Sequence, residues 1–203
     1  GCGNMRGQAH TVEAFAAAVL IIGGLIFATQ ATAVTPLSAS TSNQHIENQQ
    51  KATIEGLLAT SAESGTLQEA VLYWNATGND GGAFAGTPET GVYANGPPND
   101  FGAALNATLF DRRSAFNVVV HYPNPNGSID TEEMVRMGEP SNNAVSATRS
   151  IGLYDGSQIS TEEDERTLAE VDADPDAAFY APDTSPDTQL YTVAEVEVIA
   201  WQK

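Results

Sequence analysis

A single cysteine among 203 residues excludes an intramolecular disulfide framework and a Cys-rich zinc site. Basic residues are scarce as well. Eight Lys and Arg stand against 26 Asp and Glu, giving a formal net charge of −18, and the lysines are Lys51 and Lys203 alone. Such a chain has no basic face for nucleic-acid phosphates and no polybasic patch for anionic lipid headgroups, so no nucleic acid is expected as a partner. There is no serine in a G-x-S-x-G setting and no phosphate loop. The histidines, His10, His45 and His121, are isolated in sequence and suggest no metal site. No enzyme activity, cofactor or metal is expected. Hydrophobic residues make up 41% and charged residues 17%, too apolar a balance for a wholly disordered acidic chain.

What the chain does have is acidity with little lysine. Self-repulsion of that kind is tolerated where the Debye length falls to about 3 Å, as in 1 M salt. The composition resembles that of halophilic archaeal proteins; an ordinary acidic protein is the alternative. Residues 161–187 concentrate the charge, with ten acids against Arg166, and hold Pro175, Pro182 and Pro186. They read as a solvated acidic loop with at most a short helix near 161–171. Within them Asp172, Asp174, Asp176 and Asp183 mimic calcium-loop spacing. Ala177 stands where the loop needs glycine and Pro175 stiffens it, so a solvated loop is the reading.

One apolar run governs localisation. Residues 14–34 read AFAAAVLIIGGLIFATQATAV without a charge. About 20 helical residues at 1.5 Å each cross a hydrocarbon core of about 30 Å. A cleaved secretory signal ending near Ala31-Thr32-Ala33 is the rival, but the run exceeds the usual apolar length and only Arg6 forms a basic n-region. Arg6 precedes the run and the next base is Lys51, so the N-terminus is expected in the cytoplasm and the rest outside. Outside, Asn75, Asn106 and Asn126 head three Asn-X-Ser/Thr sequons and are candidate glycosylation sites, Asn126 being best placed in a turn-rich stretch. Gly23-Gly24 at mid-span permits close helix approach or is simply tolerated.

The residues before the run are Met5-Arg6-Gly7-Gln8-Ala9-His10-Thr11-Val12-Glu13, and Met5 is the expected translational start. A base, a glycine, a short polar stretch with one acid and then an apolar helix resemble the class III signal peptide of archaeal type IV pilin-like proteins. The run ATQATAVTPLSASTSNQHIENQQ also looks like that of membrane-anchored pilin-like proteins of haloarchaea. The resemblance implies cleavage between Gly7 and Gln8, next to Arg6, with the helix kept. It gives Glu13 an assembly role, pairing with the α-ammonium of a neighbouring subunit. Glu13 is sixth after Gly7, where the family pattern has the acid fifth. The implied partners are the bilayer and like subunits, met through the N-terminal helix. The simpler reading of Glu13 is a carboxylate at the membrane interface.

Beyond the anchor, a second helix is expected from Ser42 or Asn43, with Ile46, Thr53, Ile54, Leu57 and Leu58 on one face. Gly65 breaks it, and residues 67–74 continue as a helix. Residues 78–100 read as loop. Asp100 caps a short helix bearing Phe101, Leu105 and Leu109. Four strands follow: SAFNVVVHY, 133–137, 144–154 and 190–201. In the last, Ala194, Val196, Val198 and Ala200 share one face. The predicted fold is α+β: a long N-terminal hydrophobic helix, then an extracellular antiparallel sheet packed on a helix, which is also the pilin-like architecture. The expected organisation is a cytoplasmic N-terminus 1–13, a transmembrane helix 14–36, a helical stem 37–76 and an extracellular domain 77–203. Two functions fit this plan: a structural subunit, possibly minor, of a pilus-like filament adapted to high salt, or a single-pass anchored surface domain that binds a partner. A secreted domain released after Ala33 is a third.

Overall fold

The computed structural model describes residues 17–18, 21, 35–77, 82–110, 113–161 and 165–202. Arg6, Gly7, Gln8, Glu13 and most of the apolar run 14–34 lie outside the described residues. Among the described residues no helix is long and apolar enough to cross a membrane. The chain divides into two compact units, 1–46 and 47–203. The second holds the sheet.

Helix α1, Thr35–Ser64, is rich in Gln, Glu, Ala and Leu, residues that lose little side-chain freedom in a helix. The expected start at Ser42 or Asn43 is corrected: residues 35–43 are already helical. Ile54, Leu58 and Ser61 are buried at helical spacing, with Leu57 beside them. Ile46, expected on that face, is exposed. Gly65 stops the helix as expected, in the left-handed region with φ 84°, a conformation that costs glycine no Cβ clash.

Helix α2, Thr66–Val71, is shorter than predicted, because Trp74 leaves it to form strand β1, Trp74–Asn75. Strand β2, Ala83–Phe84, pairs with it antiparallel, so the predicted loop 78–100 contains a strand. Helix α3, Asp100–Thr108, buries Phe101, Gly102 and Leu105. Its cap is Asn99, not Asp100: Asn99 is extended and its side-chain oxygen accepts from Gly102 N at 3.0 Å. Asp100 instead places its charge in the first turn, beside the positive end of the helix dipole.

The four predicted strands all form. They are β3 (Ser114–Pro123), β4 (Ile129–Arg136), β5 (Val145–Tyr154) and β6 (Leu190–Gln202). Every pairing is antiparallel and the order is β4-β3-β6-β5. One face is apolar: Phe116, Val118 and Val120 from β3 and Ala194, Val196, Val198 and Ala200 from β6 are at most 0% exposed. It shares a single core with Ile54 and Leu58 of α1, with α2 and α3, and with Phe84. The other face carries Val193, Glu195 and Thr148 toward solvent, the alternation an antiparallel sheet with one wet face requires. The fold is α+β.

Candidate functional site

The stretch expected to be a solvated loop, 161–187, is only partly so. Thr167 and Glu170 form a reciprocal capping box that starts helix α4, Leu168–Asp172, and Leu168 and Val171 are buried. The chain then crosses the core. Ala178 N donates to Ala76 O at 2.9 Å, and Trp74 Nε1 donates to Ala178 O at 2.8 Å. Tyr180 is the centre of an aromatic cluster. Its ring lies 4.9 Å from Trp74, 4.2 Å from Phe179 and 5.5 Å from Tyr122, centroid to centroid. Its hydroxyl donates to Val71 O at 3.2 Å, and the Tyr191 hydroxyl donates to Ala181 O at 3.1 Å. Apolar and aromatic residues thus pin an acidic segment whose composition looked wholly solvent-facing. The signal in the sequence was the run AAFYA at 177–181, set between the acids.

This crossing leaves a cleft of about 410 Å³. Tyr122, Phe179, Tyr180 and Tyr191 back it, while Asp130, Asp172 and Asn124 supply its polar groups. Among the described residues no basic side chain lines it. Burial pushes the phenols of Tyr122, Tyr180 and Tyr191 up, and nearby carboxylates push them further: Glu132 and Asp130 for Tyr122, Glu132 for Tyr180, Asp172 first for Tyr191. They remain neutral hydroxyls. Burial also raises Glu132, with Glu133 adding to it. The cleft repels anions and suits a cationic or hydroxyl-rich group.

Histidine 121, read as isolated, has a partner. His121 Nε2 lies 2.9 Å from Glu197 Oε2 across the β3–β6 pair, on the wet face of the sheet. The sequence hid it because the two residues are 76 apart. Among the described residues no serine or cysteine joins the pair. The calcium-like aspartates are used locally: Asp174 pairs with Arg166 at 2.7 Å and accepts from Asp176 N, and Asp183 accepts from Ser185 N. Among the described residues no group of three or more His, Cys, Asp or Glu is placed to hold a metal.

The sequons differ. Asn126 is exposed in the β3–β4 turn, where its side chain accepts from Ser128 N at 2.8 Å. Asn75 is exposed and accepts from Thr77 N and Thr77 Oγ1, both at 3.1 Å. Asn106 lies in α3, with its carboxamide oxygen buried and unpartnered among the described residues.

The class defined by these features is an α+β domain with a four-stranded antiparallel sheet, one face in the core and one in solvent. The chain belongs to the family of unknown function DUF7288, matched over residues 6–200. No curated protein and no solved structure matches it.

Proposed function

We propose that this chain is a structural cell-surface protein, a pilin-like subunit of an archaeal filament working at high salt. The observation that carries the reading is an order of parts. A base and a glycine, Arg6-Gly7, are followed by the acid Glu13, an uncharged apolar run and helix α1, and then by an antiparallel sheet. The family match from residue 6 to residue 200 covers both the N-terminal segment and the sheet, so this order of parts belongs to the family. In this reading the apolar helix is the bilayer anchor before assembly and the shared filament core afterwards. Heterologous, non-closing contacts between such helices generate a helical polymer. The N-terminus is cytoplasmic and the outer domain extracellular. Glu13 sets the axial register against the new α-ammonium of Gln8 in a neighbouring subunit. The intact mass and N-terminal residue of the chain from native membranes test this. A start at Gln8 is expected; a chain that retains Met5 and Arg6 overturns it.

The cleft favours a second reading, an anchored domain that binds a partner without polymerising. Its acidic and aromatic lining offers a cationic partner a site that the filament reading does not use. Absence of the chain from sheared filaments, with the apolar helix retained, supports this alternative.

Export carries a further expectation. In the native host, Asn126→Gln and Asn75→Gln each remove one glycan by mass, whereas Asn106→Gln leaves the mass of the attached sugar unchanged. Asn106 is half-buried in helix α3 with its carboxamide oxygen buried, which hinders a transferase once the chain has folded. Loss of a glycan in the Asn106 variant contradicts that assignment.

A further inference from the structure

The aromatic rings around Tyr180 form a row with acids at both ends. Ring centroids are 5.5 Å apart from Tyr122 to Tyr180, 4.2 Å from Tyr180 to Phe179 and 6.2 Å from Phe179 to Tyr191. All four residues line the cleft. Asp130 is the register partner of Tyr122 in the β3–β4 pair, so the two side chains share a face. Glu132 is the register partner of the buried Val120 on that same face, and after burial it raises the phenols of both Tyr122 and Tyr180. At the other end Asp172, the last residue of α4, lines the cleft. After burial it is the group that acts most on the Tyr191 phenol. No carboxylate acts on both Tyr122 and Tyr191, so the two acidic ends are separate.

Among the described residues, no base and no hydrogen-bond donor meets the side chain of Asp130, Glu132 or Asp172. Nearby arginines are engaged elsewhere: Arg136 holds Glu133 at 2.6 Å and Arg166 holds Asp174 at 2.7 Å. Glu132 is half-buried, so its charge gives up hydration without gaining a partner from the protein. Asp130 and Asp172 are exposed, where a ligand reaches them from solvent. The acids are not gathered as metal ligands, because among the described residues no group of three or more His, Cys, Asp or Glu is placed to hold an ion. The cleft of about 410 Å³ has the size of a small-molecule site.

We infer that the cleft binds a linear organic dication, two ammonium groups joined by an aliphatic chain. One ammonium lies at Asp130 and Glu132, the other at Asp172, and the chain runs along the rings between them. Each part of the lining selects one part of the ligand. The rings attract cations and cover the apolar chain, which a bare sodium or potassium ion lacks. Acids at two separate ends favour two charges over one and repel an anion. In molar salt the long-range attraction is screened within about 3 Å, so direct contact with ring and carboxylate decides the selection. The ammonium groups belong either to a free diamine or to two lysines of a partner chain, which present the same chemistry. The inference rests on the second reading above, in which the cleft is a partner's seat.

The test is calorimetric titration of the full chain, solubilised in detergent at molar salt. The probes are hexamethylenediamine, aminohexanol and hexanediol, which share one chain and carry two, one and no ammonium groups, with glucose as a hydroxyl-rich control. The diamine is expected to bind about tenfold more tightly than aminohexanol, and the two neutral probes not at all. Asp130→Asn and Asp172→Asn should each bring the diamine down to the level of aminohexanol while the thermal transition stays in place. Asp176→Asn, which removes an exposed acid of the same segment outside the cleft, should change nothing. Equal affinity for diamine and aminohexanol, an equal loss in the Asp176→Asn chain, no amine binding, or binding of glucose in place of the amines overturns the inference. Displacement of the diamine by an end-blocked peptide with two lysines supports the site with a protein partner; diamine binding that the peptide does not displace supports it with a free diamine. Sheared filaments keep the two claims apart. No diamine binding by a chain absent from filaments sinks the dication site and leaves the anchored reading, whereas diamine binding by a chain found in filaments sinks the anchored reading and leaves the site.

Discussion

Replacing Gly102 by alanine is expected to destabilise the unit that holds the sheet by more than about 3 kcal/mol, although the same change raises intrinsic helix propensity by about 1 kcal/mol. Gly102 lies in the first turn of α3 and is buried. A Cβ there meets Pro97 O at 1.8 Å, Pro97 N at 2.7 Å and Pro97 C at 2.8 Å. Those are backbone atoms of a proline, and they cannot swing away as a side-chain tip can. Relief requires either the 97–99 segment or the helix start to move. Movement there breaks the Asn99 cap, because the Gly102 N–H is its donor. Gly56, inside α1, is the counterpart. Nothing lies within 4 Å of its virtual Cβ, so Gly56→Ala is expected to gain up to about 1 kcal/mol. Denaturant midpoints at constant high salt measure both. A Gly102→Ala chain as stable as its parent would mean that the 97–99 segment does not press on α3.

Trp74→Ala is expected to cost about 3–5 kcal/mol and to release the acidic segment from the core. Trp74 is 2% exposed, and its ring meets Phe84 edge-on at 5.2 Å, Tyr180 at 4.9 Å and Phe179 at 6.2 Å. Its Nε1 holds Ala178 O. Alanine leaves a cavity, three unpacked aromatic faces and a carbonyl without its donor. Trp74→Phe restores most of the volume but not the hydrogen bond, so its cost should fall near 1–2 kcal/mol. Limited proteolysis reads the second half of the expectation. In the alanine variant cleavage should concentrate in residues 173–187, whereas the phenylalanine variant should resist. Uniform cleavage, or none, would show that the aromatic cluster does not hold this segment.

The strands were legible because their faces are written locally. Along 190–201 the alternation of Ala194, Val196, Val198 and Ala200 with Glu195 and Glu197 has the period of a strand, and the structure buries the first set. The helix with Phe101 and Leu105 was legible for the same reason, its apolar residues recurring every four positions. Its cap was misplaced by one residue because Asn99 and Asp100 are both good caps by type. Only the extended backbone of Asn99 brings its oxygen to the Gly102 N–H. The start of α1 was misread because Ser and Thr clusters suggest caps, yet they are tolerated inside a helix that packs further along.

The sequence by itself determined the acidity, the absence of an intramolecular disulfide, the apolar run with its Arg6-Gly7 and Glu13 context, and four strands with the buried face of the last. Each is a property of composition or of periodicity over fewer than about 20 residues. Tertiary structure alone decided the strand order, the His121–Glu197 contact and the aromatic cleft around Tyr180. These bring together residues tens of positions apart. No local period encodes which strand lies beside which, because that choice is made when apolar faces on distant segments are buried against one another.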